Sequence, residues 1–154
     1  STRLEEILAR ALTVKAAIVE EDERDRGQRR LLNFGHTVGH ALESATGFRR
    51  FLHGEAVALG MVSALRLSQR TAGLSAEDVT RVEDLLRRHG LETRVQEVEP
   101  ESLLYYLQMD KKVESEGGVW VLTERLGAAT VATRVPEELV RDAVTYILAP
   151  AGQP

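Results

Sequence analysis

The segment LLNFGHTVGHALE, residues 31–43, carries His36 and His40 four apart, each preceded by a glycine, and His53 follows ten residues beyond its end. Three of the chain's four histidines therefore fall within eighteen residues. On a helix this spacing puts two imidazoles on one face, which suits metal binding but also describes polar groups on a solvated face, so the spacing alone is not specific. Arg29, Asn33, His36 and His40 follow one another at intervals of four, three and four. A continuous helix over 29–45 would align them as one stripe of about three turns, carrying a guanidinium, an amide and two imidazoles. Its other sides, with Leu31, Leu32, Phe34, Val38 and Leu42, are apolar, so such a helix resembles the wall of a site. His53 opens LHGEAVALGM, where it reads as a hydrogen-bonded cap or as a ligand fixed by a rigid buried element. Gly35 and Gly39 suit close helix packing or a backbone passing near a ligand; packing is favoured for one, and the other is open.

Two further cationic features stand out. Lys15 shares a helical stripe with Leu4, Leu8, Ala11 and Ile18, where a helix should bury hydrocarbon. A lysine there either snorkels to water or aims its ammonium into a cleft. Asp110-Lys111-Lys112 reads, taken alone, as a basic last turn that complements a helix dipole. His89 before Gly90 reads the same way and is given no role.

The elements that must position these residues are mostly helical. Thr2-x-x-Glu5 can cap a first helix running to about residue 20, and residues 20–28 form an acidic exposed turn. The segment from His53 is apolar almost all round, which marks a buried central helix. Ser75 caps a fourth helix that ends at Gly90, and Pro100 opens a fifth that reaches about Met109. Residues 119–135 read as a two-stranded hairpin, and Pro136 starts a last amphipathic helix before a loose tail beyond Leu148. The expectation is a single, mainly α, multi-helical domain over 1–154, with one small β-hairpin near its C-terminus.

Composition narrows the function classes. The chain has 154 residues, 43% hydrophobic and 29% charged, which fits one globular domain with a real core. It has no cysteine, so disulfides and thiolate chemistry are excluded and a metal would need His, Asp or Glu. A net charge of −4 leaves no footprint for nucleic acid, and a local group of cations suits a small anionic ligand instead. No apolar run approaches membrane-spanning length, and Glu5, Glu6 and Arg10 break any leader pattern, so a cytoplasmic location is expected.

Taken in order, Lys15, the turn DERDRGQR, LLNFGHTVGHALE, LHGEAVALGM and MDKK before a hairpin resemble the C-terminal domain of 3-dehydroquinate synthase. That resemblance covers about 110 residues. It implies a largely helical domain packed against an N-terminal NAD-binding domain that this chain lacks, with the active site between them and a homodimeric assembly. It implies conversion of 3-deoxy-D-arabino-heptulosonate 7-phosphate to 3-dehydroquinate and phosphate, a shikimate-pathway step, using NAD and Zn2+ or Co2+. By motif, His36 and His53 resemble the family's metal-ligating histidines, and a third ligand, a glutamate, lies upstream of every residue present. His40 resembles the proton-relay histidine, with Asp25 where the family commonly has its glutamate partner. Lys15, Arg29, Asn33 and one of Lys111 and Lys112, Lys111 being preferred, resemble substrate-binding residues. Other sugar phosphate cyclases and the metal-dependent alcohol and glycerol dehydrogenases are the nearer alternatives, and a helical interaction module with structural histidines is the remoter one.

Overall fold

A computed structural model describes residues 2–22, 27–113 and 119–149, with the backbone alone for 110–113. Along the chain come α1 (Thr2–Glu21), a 3-10 helix (Gln28–Asn33), α2 (His36–Ala45), α3 (His53–Thr71), α4 (Ala76–Arg88) and α5 (Pro100–Val113). The strands β1 (Trp120–Arg125) and β2 (Ala128–Ala132) and the helix α6 (Glu137–Leu148) complete it. The mainly α expectation with one hairpin is borne out, and α5 continues about one turn past Met109.

The local causes are those the sequence suggests. Ser75 Oγ accepts from Asp78 N at 3.0 Å at the start of α4, and Gly90 closes that helix at φ 74°. His89 Nδ1 lies 2.8 Å from the Leu85 carbonyl, an end-of-helix role as expected. The strands pair antiparallel from Trp120 opposite Ala132 to Arg125 opposite Ala128, and Gly127 turns between them at φ 91°.

α3 is the centre of the domain. It packs against α2, α4, α6 and β1, and Ala56, Leu59, Val62 and Leu67 on it are fully buried. They meet Leu42 of α2, Leu103 and Leu107 of α5, Trp120 and Leu122 of β1, and Val144 and Ile147 of α6 in one cluster. Each such leucine, isoleucine or valine contributes about 1.5–3 kcal/mol relative to exposure. β1 is tied to α3 directly: Thr123 N donates to Ser68 Oγ at 2.9 Å, and that hydroxyl donates to the Ala64 carbonyl at 2.7 Å.

Two expectations about the helices are corrected. Residues 29–45 are not one helix: Gly35, at φ 83°, separates the 3-10 helix from α2. This left-handed turn is open to glycine alone at that site, because a Cβ would sit 2.6 Å from the backbone nitrogen of Met61. The proposed continuous stripe from Arg29 to His40 is therefore broken. Nor does α1 bury its apolar stripe. Among the described residues it packs on the 3-10 helix, and Leu4, Ile7, Leu8, Leu12 and Val14 remain exposed, as does Lys15.

Candidate metal centre

Glycines bring the histidine-bearing helices together. α2 and α3 run antiparallel: Gly35 faces Gly60, Gly39 faces Ala56 and Val57, and Glu43 meets His53. A Cβ on Gly60 would fall on the Gly35 carbonyl oxygen, and one on Gly39 would lie 3.2 Å from Val57 Cα. The packing reading thus holds for both Gly35 and Gly39. Backbone-to-backbone contact at this crossing leaves the short imidazole arms able to meet.

They do meet. The ring centroids of His36 and His53 are 5.4 Å apart, those of His36 and His40 5.5 Å, and those of His40 and His53 5.9 Å. Two separate helices thereby supply three imidazoles to one small volume. His36 is half-buried, whereas His40 is exposed and the His53 side chain is 57% exposed, so the group opens to solvent on one side. Burial holds the His36 imidazole below its ordinary pKa; the Phe34 carbonyl opposes that shift, and the neighbouring His40 and His53 add to it. A ring kept neutral keeps a lone pair for an ion. Nδ1 of His36 lies 3.4 Å from the Phe34 carbonyl, which can only accept, so Nδ1 carries the hydrogen and Nε2 is left as the acceptor.

Sequence reasoning missed Glu43. One helical turn beyond His40, its side chain is only 12% exposed and its Oε1 lies 3.1 Å from His53 Nδ1. One ligand atom each from His40, Glu43 and His53 lie within 4.8 Å of one another. The signal was available: in an antiparallel pair of helices closed by the turn 46–52, position 43 falls opposite position 53. With imidazole and carboxylate donors and no thiolate, the group suits zinc or cobalt.

The other expected residues are distributed as follows. Arg29 and Asn33 lie exposed on the 3-10 helix, where the Arg29 backbone N–H donates to Asp22 Oδ2 at 3.2 Å. Lys15 is exposed on α1. Lys111 and Lys112 stand in the last turn of α5 with their side chains outside the described residues, and Asp25 and the tail from 150 lie wholly outside them. Among the described residues no helix is long and apolar enough to cross a membrane.

The arrangement of helices recurs in solved structures. One is 2-epi-5-epi-valiolone synthase from Streptomyces hygroscopicus subsp. jinggangensis, with NAD+ and Zn2+ bound, at TM-score 0.79 and 24% identity over 92% of this chain and 39% of that one. Another is 2-deoxy-scyllo-inosose synthase complexed with carbaglucose-6-phosphate, NAD+ and Co2+, at TM-score 0.78 and 23% identity over 93% of this chain and 42% of that one. These likenesses define the fold class. The sequence defines the family: a profile described as "3-dehydroquinate synthase C-terminal" matches residues 1–113. The chain belongs to the 3-dehydroquinate synthase C-terminal family. It is 41% identical to 3-dehydroquinate synthase of Nitrosospira multiformis over 148 residues, 96% of this chain and 40% of that protein. To the synthase of Gloeobacter violaceus it is 46% identical over 136 residues, 88% of this chain and 38% of that protein. The chain thus spans about two fifths of the length of these relatives.

Proposed function

We propose that this chain is the metal- and substrate-binding part of a 3-dehydroquinate synthase, which converts 3-deoxy-D-arabino-heptulosonate 7-phosphate to 3-dehydroquinate and phosphate. The carrying observation is the meeting of His36, His40 and His53 in one volume, in a chain of this family. His36 and His53 would hold a divalent ion through Nε2, together with a carboxylate from the NAD-binding part that precedes this one in the whole enzyme. A bound ion supplies Lewis acidity toward the substrate hydroxyls, and NAD supplies reversible hydride removal. The ligands named in the two solved structures, NAD+ with Zn2+ or Co2+, support that pairing.

The chain's own groups do the rest. His40, exposed beside the other two rings, takes up and releases a proton at a ring nitrogen near the departing phosphate, with Asp25 as its partner. Lys15, Arg29, Asn33 and a lysine of the 111–112 pair bind the substrate's carboxylate and phosphate, two anionic groups that need several fixed cations. Exposure of Lys15, Arg29 and the apolar face of α1 in this chain agrees with a cleft whose other wall belongs to the partner part. On this reading the chain alone binds its ion weakly and turns nothing over, and the whole enzyme is a cytoplasmic homodimer.

The test is to join the chain to an upstream NAD-binding part of the family and assay phosphate release from the heptulosonate phosphate with NAD and zinc. Release that is lost in His53→Ala is the expected result. No release from the joined enzyme counts against the assignment, and turnover of a sugar phosphate lacking a carboxylate would move it to another cyclase.

A further inference from the structure

With His36 and His53 as the ion's ligands in this chain, Glu43 is left without a task. Its side chain is almost withdrawn from water beneath an exposed histidine, and its oxygen is 3.1 Å from His53 Nδ1. A carboxylate in such a place needs a partner, and the contact chosen fixes which imidazole nitrogen carries hydrogen. We infer that Glu43 is a positioning residue, which accepts the Nδ1 hydrogen of His53 and thereby aims the lone pair of Nε2 at the ion site.

Three observations carry this. A carboxylate only accepts, so a neutral His53 against it holds hydrogen on Nδ1 and an acceptor at Nε2. The two nitrogens of an imidazole diverge, so Nε2 is turned away from the withdrawn carboxylate while the ring itself is more than half exposed. His36 shows the same polarity by another route, with Nδ1 on the Phe34 carbonyl. Both histidines expected to hold the ion are thus set in the Nδ1–H form before any ion arrives. Metal-bound histidines recurrently give their second nitrogen to a carboxylate or carbonyl, and this chain carries one of each. The ligand atoms of Glu43 also lie close enough to His40 and His53 to share an ion, so direct ligation is the rival the test must separate.

The inference rests on the metal reading but is testable without it. In the metal-free chain, labelled with 15N at histidine and kept in mildly alkaline buffer, long-range proton–nitrogen spectra report the tautomer. His53 is expected in the Nδ1–H form, and Glu43→Leu should release it toward the Nε2–H form that an unconstrained histidine side chain prefers. Titration with Co2+ alone should then show affinity about 10–100-fold weaker in Glu43→Leu, which cannot accept, and partly recovered in Glu43→Gln, whose amide oxygen still can. An Nε2–H tautomer in the wild type overturns the inference, with no variant needed. So does unchanged Co2+ affinity in Glu43→Leu. A Co2+ visible spectrum that reports one ligand fewer in Glu43→Leu makes Glu43 a ligand and also overturns it. Failure of the metal reading registers separately, as an Nδ1–H His53 whose resonances ignore Co2+, and that result removes the ligand-aiming role as well.

Discussion

Replacing Gly60 with alanine puts a methyl group where two backbones touch. The new Cβ would fall on the Gly35 carbonyl oxygen and lie 2.8 Å from Gly39 N, and that carbonyl already accepts from Gly39 N at 3.0 Å. Neither obstacle is a side chain that can swing aside, so α2 must move off α3 or the hydrogen bond must break. Overpacking costs about 1–3 kcal/mol, and the disturbed bond about 1 more. Against this, alanine is better than glycine inside a helix by about 1 kcal/mol. The net loss is about 2 kcal/mol, which for a chain of this size lowers Tm by roughly 4–8 °C. Gly54 on the same helix is the control, since a Cβ there meets nothing within 4 Å. Gly54→Ala should hold or raise Tm. Calorimetry on the two variants, with Co2+ titration in parallel, checks the reasoning. Because the displaced helix carries His36 and His40, Gly60→Ala should also weaken ion binding. A Gly60→Ala chain that melts and binds as the wild type does would refute the claim that these glycines set the distance between the histidine-bearing helices.

Two further outcomes follow from the geometry. Burial of His36 lowers its folded pKa, so above about pH 6.5, the ordinary histidine value, the ring is neutral in both states and costs nothing. As pH falls through that value the unfolded ring takes a proton that the folded ring refuses, and stability drops until the folded value is passed. Denaturant melts across this range should therefore show a decline in stability that is smaller in His36→Asn. Ser68→Ala removes the acceptor for the buried Thr123 N–H, and leaving that group unpaired costs about 1–3 kcal/mol, read as a lower denaturant midpoint.

Most of the architecture was legible because its signals are local. Ser75, Gly90 and Pro100 mark helix ends through side chains that act on their own backbone, and the apolar run after His53 announces a helix buried on every side. The broken helix at Gly35 was not legible, because periodicity continues across it: residues 29–40 keep helical spacing although the chain turns left-handed in the middle. The cause is tertiary, the backbone of Met61 pressing where a Cβ would stand. The same limit hid Glu43. Its partner lies ten residues away on another helix, and only the antiparallel crossing brings them within reach. The apolar stripe of α1 misled in the opposite sense, since a pattern that promises burial does not say which surface will provide it.

Helix α3 packs against α2, α4, α6 and β1, while α1 places no residue in the interior. The hydrogen-bonded amide protons of its buried stretch, from Ala56 to Ser68, therefore exchange only through the largest openings of the fold, whereas those of α1 exchange through local fraying. His53 opens α3 one turn before that stretch: its own N–H has no acceptor within the helix, yet the rod that carries its ring is the slowest part of the fold to open.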